Sequence, residues 1–285
     1  SAELDVDYLI VGSVQRRENT LRINVQLIEA GSERAVWGER YSGALSDVFV
    51  IQDKLTAAVI AALKVEIAPA EQAHLANRPT TSVAAYDLYL RGLEEHGGRT
   101  EAQNLTARDL FEQAIALDPA FARAYTGLAL TYSREAIDGW TDTPTRSLEL
   151  AADLAEQATG MDPALPQAYF VLGQVRLFQG RHAEAIAAAE RAIEVDPNYA
   201  DAHALLAWTL NYAGRPGKAL SALERAMRLN PTQPSIYRML RGAMHYFQRD
   251  YREAIDDLEQ AVPMNPTHPL LRSWLAAAYA GAGRV

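Results

Sequence analysis

The chain lacks cysteine entirely among its 285 residues. Disulfides, thiolate zinc sites and a cysteine nucleophile are therefore excluded, and the composition fits a reducing compartment such as the cytoplasm. A long apolar run is missing as well. The most apolar stretch, residues 48–68, is interrupted by Asp53, Lys54, Lys64 and Glu66, so we expect no membrane span.

The chain also has fewer positively charged than negatively charged residues. The chain has 27 Lys and Arg against 36 Asp and Glu, a net charge of −9, and no cluster of basic residues. A phosphate backbone would be repelled on average, so we expect no nucleic-acid partner.

Residues arranged for chemistry are missing too. The six histidines are scattered, with no pair at metal-ligand spacing, at positions His74, His96, His182, His203, His245 and His268. The segment 214–218 (GRPGK) lacks the spacer and the Ser/Thr of a phosphate loop, and we interpret it as a turn. Sequence alone leaves a Ser/His/Asp triad open, but no G-x-S-x-G motif is present. We predict no catalytic residue, no metal site, no cofactor and no enzyme activity.

The sequence does contain a regular spacing of Asp-Pro and Asn-Pro pairs. Five Asp-Pro or Asn-Pro pairs occur, and three of their prolines, Pro163, Pro197 and Pro231, lie 34 residues apart. A fixed period of this size is typical of stacked helix-turn-helix units, each too small to bury its own apolar face.

The residues between these prolines resemble the tetratricopeptide repeat. The unit before Pro197 carries Tyr169, Leu172 and Gly173 in its first helix, then three alanines in its second, Ala185, Ala189 and Ala192. Small residues at these positions let the two helix backbones approach closely. The Asp/Asn-Pro pair ends the second helix and begins the turn into the next unit.

Other units depart from the period in length. The distance from Pro119 to Pro163 is 44 residues, and we predict that the surplus lies in the turn around residues 138–144, which contains Trp140. That tryptophan either fills a gap beside the adjacent repeat or touches a partner. In the first unit we predict three extra residues between its two helices, near residues 97–100. In the fifth unit we predict a single extra residue beside Pro234.

Residues 1 to about 75 lack the repeat. A strand is predicted at residues 8–14, a second at 21–27 from its alternation of apolar and polar residues, and a third through Val36, Trp37 and Tyr41. An amphipathic helix follows. Three strands leave at least one open sheet edge, which is a site for pairing with another strand.

Residues 7–43 and 47–75, together with residues 78–81 and 86–92, resemble the second half of the TolB amino-terminal-like domain of bacterial signalling proteins and its junction with tetratricopeptide repeats. The resemblance implies an upstream class III adenylate/guanylate cyclase domain or a winged-helix DNA-binding domain. We predict a partial TolB amino-terminal-like α+β domain at 1–75, a linker at 76–84 and a tetratricopeptide-repeat domain at 85–285. The predicted fold is mainly α: a solenoid of about five and a half repeats, with a small amino-terminal α+β block of three antiparallel strands and a helix.

The first helices of stacked repeats line the concave side of the solenoid. The resemblance to the tetratricopeptide family implies which of their positions face this groove, and these are rich in aromatics. The predicted partner-binding residues are Phe170, Gln174, Leu177, Phe178, Trp208, Asn211, Tyr212, Met239, Tyr246 and Phe247. The alternative is that Phe178, Trp208, Tyr212 and Tyr246 pack between helices.

The predicted function is a non-catalytic protein-interaction and regulatory region of a bacterial signalling protein, of adenylate/guanylate cyclase type. Its partner would be an apolar peptide or protein segment bound in the groove. Two alternatives are an oligomerisation scaffold that self-associates through the open sheet edge, and the sensor region of a winged-helix transcriptional regulator.

Overall fold

The computed structural model describes residues 6–65, 78–98, 100–232, 234–266 and 269–284. The chain divides into two compact units, Ser1–Asp87 and Leu88–Val285, and the division falls within the helix Val83–Gly97. The predicted boundary at residue 75, the linker residues 76 and 77, and His74 and His268 lie outside the described residues.

The first unit contains a three-stranded antiparallel sheet in the order β1-β2-β3, followed by one helix after a short 3-10 turn. The elements are β1 (Tyr8–Arg17), β2 (Thr20–Glu29), β3 (Arg34–Ala44) and α1 (Val48–Leu63). The predicted strands and helix are therefore confirmed, and each strand is longer than its apolar pattern indicated.

One face of this sheet packs against α1. The β2 residues Leu21, Val25 and Leu27 are buried, as are Phe49 and Ile51 of α1. A Cβ added to Gly43, which pairs with Leu21, would lie 3.1 Å from Ile51 Cδ1. The alternation in β2 therefore directs its odd-numbered side chains into a small core beneath α1.

From residue 83 onward the described residues form eleven α-helices, arranged as five consecutive pairs and a final helix. The pairs are α2 (Val83–Gly97) with α3 (Glu101–Leu117), α4 (Ala122–Asp138) with α5 (Pro144–Met161), α6 (Pro166–Phe178) with α7 (His182–Val195), α8 (Ala200–Tyr212) with α9 (Pro216–Leu229), and α10 (Ser235–Phe247) with α11 (Tyr251–Ala261), and the last is α12 (Pro269–Gly281). The fold is mainly α, as predicted. Across the described ranges, no helix combines the length and apolar composition needed to cross a membrane.

Close helix approach holds each pair together. A Cβ on Gly173 would lie 3.3 Å from the Ala185 carbonyl oxygen, and a Cβ on Gly242 would lie 3.2 Å from that of Ala254. The facing positions are fully buried in every pair, namely Ala107, Phe111 and Ala114; Ala151, Ala155 and Ala158; Ala185, Ala189 and Ala192; Ala219, Leu223 and Ala226; and Ala254, Leu258 and Ala261. Glycine is therefore favoured at positions 173 and 242, because a side chain there would lie too close to the backbone of the facing helix.

The second pair is longer than the others, but its surplus does not lie where the sequence placed it. Helices α4 and α5 contain 17 and 18 residues, against 13 and 14 in α6 and α7. The turn between α4 and α5 takes only two of the ten extra residues. The prediction was wrong in its main part because each helix has gained about one full turn of 3.6 residues. Trp140 lies in this turn, half-buried, and its backbone N–H donates to the Glu135 carbonyl at 2.9 Å.

The first pair shows the same correction. Helix α2 ends at Gly97 and α3 begins at Glu101, so the intervening turn has no surplus, and α3 itself is three residues longer than α7. Thr100 caps α3 by accepting a hydrogen bond from the Gln103 N–H at 3.3 Å. The extra residue beside Pro234 is confirmed, since five residues separate α9 from α10 and four separate α7 from α8.

The turns within the later pairs share one left-handed residue. Gly180 and Gly214 have φ of 75° and 73°, and Arg249 occupies the equivalent place in the fifth pair with φ of 66°. Glycine adopts this conformation without steric cost, whereas arginine does not. Helix α8 ends at Tyr212 and α9 begins at Pro216, so the interpretation of residues 214–218 as a turn is confirmed for residues 214 and 215, whereas residues 216–218 form the first turn of α9.

The packing of α3, α4 and α5 includes a set of hydrogen-bonded side chains, here called the polar network: Asn104, Arg108, Thr131, Glu135 and Ser147. Asn104 Nδ2 donates to the Thr131 carbonyl at 3.0 Å. Glu135 accepts from Arg108 Nη2 and from Ser147 Oγ, both at 2.6 Å. The side chains of Arg108 and Glu135 are only 15% and 13% exposed, so this pair is shielded from water.

Candidate partner-binding surface

Three of the predicted groove residues are buried. Leu177 is 6% exposed, Asn211 7% and Met239 1%, and Leu177 and Met239 belong to the apolar core. This departs from the prediction because the position of a residue in the repeat fixes its direction, whereas neighbouring side chains decide how much of it reaches solvent. These three residues offer little or no side chain to a partner.

Four more predicted residues are half-buried between consecutive repeats. Phe178 and Trp208 meet edge to face with ring centroids 5.4 Å apart, and the Phe170 ring lies 5.7 Å from that of Tyr199. Gln174 accepts a hydrogen bond from Ser133 Oγ at 3.4 Å. For Phe178 and Trp208, the alternative that they pack between helices describes the structure better than an open groove.

The remaining three predicted residues lie together near the ends of α8 and α10. Tyr212 is 44% exposed and Phe247 50%, and their ring centroids are 6.3 Å apart. Tyr246 is half-buried and contacts Phe247 at 5.9 Å. Because Tyr212 and Phe247 are the last residues of equivalent helices, successive repeats place them side by side.

Trp274 of α12 joins this cluster, although sequence reasoning did not select it. Its ring centroid lies 5.5 Å from that of Phe247 and 5.6 Å from that of Tyr246. It takes the repeat position that Val171, Leu205 and Leu240 fill in earlier units, all of them buried. We call Tyr212, Tyr246, Phe247 and Trp274 the aromatic row. A tryptophan at a position of aliphatic core residues was the signal that could have identified it.

Two polar contacts fix the helices that carry the row. The Tyr237 hydroxyl donates to Asp201 Oδ1 at 2.7 Å, which ties α10 to α8. Burial and this hydrogen bond raise the pKa of Tyr237 well above its usual 10.0. Arg241 Nε donates to both oxygens of Asp257, at 2.9 and 3.0 Å, which ties α10 to α11. The row therefore lies on a preorganised base.

A second concave feature lies elsewhere in the solenoid. A cavity of about 600 Å³ is bounded by the first turns of α5 and the end of α6. Its lining mixes Leu148, Ala152 and Phe178 with charged residues of both signs. Arg176, at its wall, is already ion-paired with Glu156 and Glu184, so the cavity does not present a free cation from that residue.

The described residues bring together no group of three His, Cys, Asp or Glu side chains that could hold a metal ion. His245 Nε2 lies 3.9 Å from Asp257 Oδ2, but that carboxylate is already held by Arg241. The aromatic row presents the apolar faces and edges of its rings to a ligand. Such surfaces bind other molecules by contact area and stacking.

The architecture defines the helical part of the chain as a solenoid of helical pairs. Part of this solenoid consists of tetratricopeptide repeats: residues 145–200, 170–234 and 240–285 match the family model described as "Tetratricopeptide repeat". The last two matches include all four residues of the aromatic row.

Among relatives, the chain is similar to "Putative adenylate cyclase 3" of Rhizobium meliloti (strain 1021). The two are 32% identical over 155 residues, which is 53% of this chain and 26% of that protein. The chain therefore spans about a quarter of the length of this relative.

Solved structures share the fold. TTC0263, a thermophilic repeat protein of Thermus thermophilus, superposes with a TM-score of 0.55 at 20% identity, covering 69% of this chain and all of that one. The human IFIT1 dimer, solved with m7Gppp-AAAA, superposes with a TM-score of 0.56 at 22% identity, covering 65% of this chain and 43% of that one. At these identities the likeness shows the fold alone.

Proposed function

We propose that this chain is a non-catalytic interaction region whose aromatic row binds an apolar segment of a protein partner. Tetratricopeptide repeats indicate protein–protein interaction, and the row is where the described solenoid exposes large aromatic side chains next to one another. The observation that carries the proposal is the exposed pair Tyr212 and Phe247, 6.3 Å apart on equivalent helices.

The chemistry of the row selects the kind of partner. Exposed aromatic side chains on a rigid base are typical anchors of interfaces, where each can contribute about 2 kcal/mol or more to binding. The rings of Tyr246 and Trp274 contact the Phe247 ring and restrict its rotamers, so Phe247 loses little side-chain entropy on binding. An apolar helix or extended segment is the ligand that such a surface fits.

We further propose that the chain serves a cytoplasmic bacterial signalling protein of the adenylate/guanylate cyclase type. The Rhizobium meliloti relative supports this context, and so does the resemblance of the amino-terminal residues to the TolB amino-terminal-like domain. In this proposal catalysis belongs to a different domain and the present residues bind. The net charge of −9 supports a protein partner over a nucleic acid.

A site-specific cross-linking experiment tests the binding surface. Because the chain has no cysteine, Gln248→Cys creates a unique attachment point for a photoactivatable benzophenone label at an exposed position next to Phe247, and the four rings of the aromatic row stay in place. Labelled chain, illuminated in lysate of the source bacterium, should give one discrete cross-linked species. Adding excess unlabelled parent chain should suppress it, and adding excess Tyr212→Ala chain should suppress it less.

Leu117→Cys provides the matched control, since Leu117 is also exposed, at 53%, and also lies at the end of a helix, α3. The same cross-linked species from Leu117→Cys, or none from Gln248→Cys, would contradict the proposed surface. In a separate test, the purified chain with ATP and a divalent metal should form no cyclic AMP. Turnover would contradict the non-catalytic assignment.

A further inference from the structure

The apolar face of the sheet extends beyond the part that α1 covers. Ile10 of β1 pairs with Leu27 of β2, and Val14 pairs with Ile23, so these four side chains share one face. Leu27 is 1% exposed, yet Ile10 is 60% and Val14 67% exposed. Tyr8, on the same face, is 45% exposed. An edge strand with so much exposed apolar surface favours pairing with another strand.

Among residues 6–65, the backbone of β1 is paired on one side only. The Ala30 N–H donates to the Asp7 carbonyl at 2.8 Å, so Asp7 and Ala30 form a hydrogen-bonded pair. Bonded and non-bonded pairs alternate along an antiparallel ladder. Odd-numbered residues of β1 therefore direct their N–H and C=O groups to β2, and even-numbered residues direct theirs to the outer edge. Within the described residues β1 has one neighbouring strand, β2.

We propose that this edge pairs with β1 of a second copy of the chain, antiparallel and centred on Gly12. The arrangement extends the sheet across a two-fold axis, as an isologous interface requires. Even-numbered residues then lie opposite even-numbered ones, so their outward backbone groups can form a ladder. Ile10 lies opposite Val14 of the other copy, twice, and their exposed apolar surfaces are buried together.

Charge complementarity selects this register. Centring the pair on Gly12 sets Asp7 opposite Arg17, once at each end of the joined strands. Both side chains are exposed in the chain, and opposite residues of non-hydrogen-bonded pairs lie close, about 4.5 Å between Cα atoms. Moving the centre by one residue in either direction sets Asp7 opposite Gln15 or Asn19 instead, and both ion pairs are lost. The strand is therefore self-complementary in backbone, apolar contact and charge.

Exchanging the charges tests the register directly. Sedimentation velocity of the whole chain at increasing concentration should show a monomer–dimer equilibrium. Asp7→Arg and Arg17→Asp each create like-charged pairs at both ends and should weaken dimerisation by about tenfold or more. An equimolar mixture of the two variants restores opposite charges at both ends, and it should form a heterodimer with about the parent affinity.

Two controls separate this surface from the others. Glu33→Arg makes the same charge change at an exposed turn of the sheet and should leave dimerisation unchanged. Phe247→Ala should also leave it unchanged, because the aromatic row plays no part in the strand pairing. Circular dichroism checks that every variant is folded.

Three results would overturn the proposal. A chain that stays monomeric at the highest soluble concentration has no such interface. Single variants that dimerise like the parent, or a mixture that stays monomeric, would exclude this register and with it the proposed pairing. Loss of dimerisation in Phe247→Ala would assign self-association to the aromatic row instead.

Discussion

The contacts of the second helical pair and those of the fifth are made by different kinds of side chain. Between α3, α4 and α5 the seam includes the polar network, in which Glu135 holds both Arg108 and Ser147. Around α10 the seam is built from Met239, Leu240, Met244 and Leu258, all buried, and the helix ends in half-exposed aromatics. Most polar groups in the first seam hydrogen-bond to one another, with Asn104 Oδ1 an exception, whereas rings in the second retain exposed surface.

This difference separates stability from binding. A hydrogen-bonded network that is shielded from water specifies one arrangement of its helices and leaves few groups for a partner. An aromatic cluster tolerates partial exposure, because its contacts are non-directional and the rings support one another. We therefore expect substitutions in the polar network to alter folding, and substitutions at the exposed end of the aromatic row to alter binding with little effect on folding.

The largest effect is expected for Glu135→Ala. Arg108 would lose its carboxylate in a poorly hydrated site, which should lower the free energy of unfolding by about 2–3 kcal/mol. Chemical denaturation followed by circular dichroism measures this. Glu149→Ala is the matched control, because Glu149 pairs with Arg146 at the surface, where both side chains are more than half exposed, and should change stability by less than about 0.5 kcal/mol. Equal losses in the two variants would refute the view that the network is shielded.

A smaller effect is expected for Tyr237→Phe, which removes the hydrogen bond between α10 and α8. The loss should be about 1–2 kcal/mol at neutral pH. Because the pKa of Tyr237 is raised above 10.0 in the folded chain, folding keeps the phenol protonated. Stability should therefore fall as pH rises above about 10, and Tyr237→Phe should show a shallower fall. Unfolding curves at several alkaline pH values give both quantities. Identical slopes would contradict the role of this hydroxyl.

A gain of stability is expected for Arg249→Gly. Arginine has φ of 66° at this position, where the equivalent residues are Gly180 and Gly214. Relieving the left-handed strain should stabilise the chain by about 1 kcal/mol, reduced by the greater freedom of glycine in the unfolded state. Gly214→Arg is the reverse control and should destabilise by a similar amount. Thermal unfolding of both variants provides the test, and destabilisation by Arg249→Gly would show that the arginine side chain makes a compensating contact.

A small loss of stability is expected for Phe247→Ala. Half of this side chain is already exposed, so its removal should cost about 1 kcal/mol or less. Tyr246→Ala should cost more, about 2 kcal/mol, because its ring contacts Phe247, Tyr251 and Trp274. Denaturation of the two variants under the same conditions compares them. A larger cost for Phe247→Ala would make Phe247 a structural residue and weaken its assignment to binding.

Much of the fold followed from local pattern. The spacing of Pro163, Pro197 and Pro231 predicted the repeats, because one period fixes a helical pair and its two turns. It could not divide a surplus between helix and turn, since only the total is visible in the spacing. The extra residues of α4 and α5 were therefore misplaced. The alternation of Leu21, Ile23, Val25 and Leu27 predicted β2 directly, because a strand with one buried face has a period of two.

The candidate site was harder to predict. The family positions selected Met239 and Phe247 alike, although one is 1% and the other 50% exposed. Exposure depends on contacts across repeats, such as Phe178 with Trp208, which are set by helix packing and not by any one repeat. The polar network was missed for a similar reason. Arg108 and Glu135 are 27 residues apart, and no short motif joins them.

The longer helices of the second pair have a consequence for the shape of the solenoid surface. Each extra turn adds roughly 6 Å of helix. The first turns of the longer α5 and the end of the shorter α6 line the cavity that contains Thr145 and Arg181. Four residues advance a helix by about 400°, which returns the buried stripe to nearly the same side. A repeat array can thus gain a recess by adding whole turns to one unit, while the seams between its helices stay in phase.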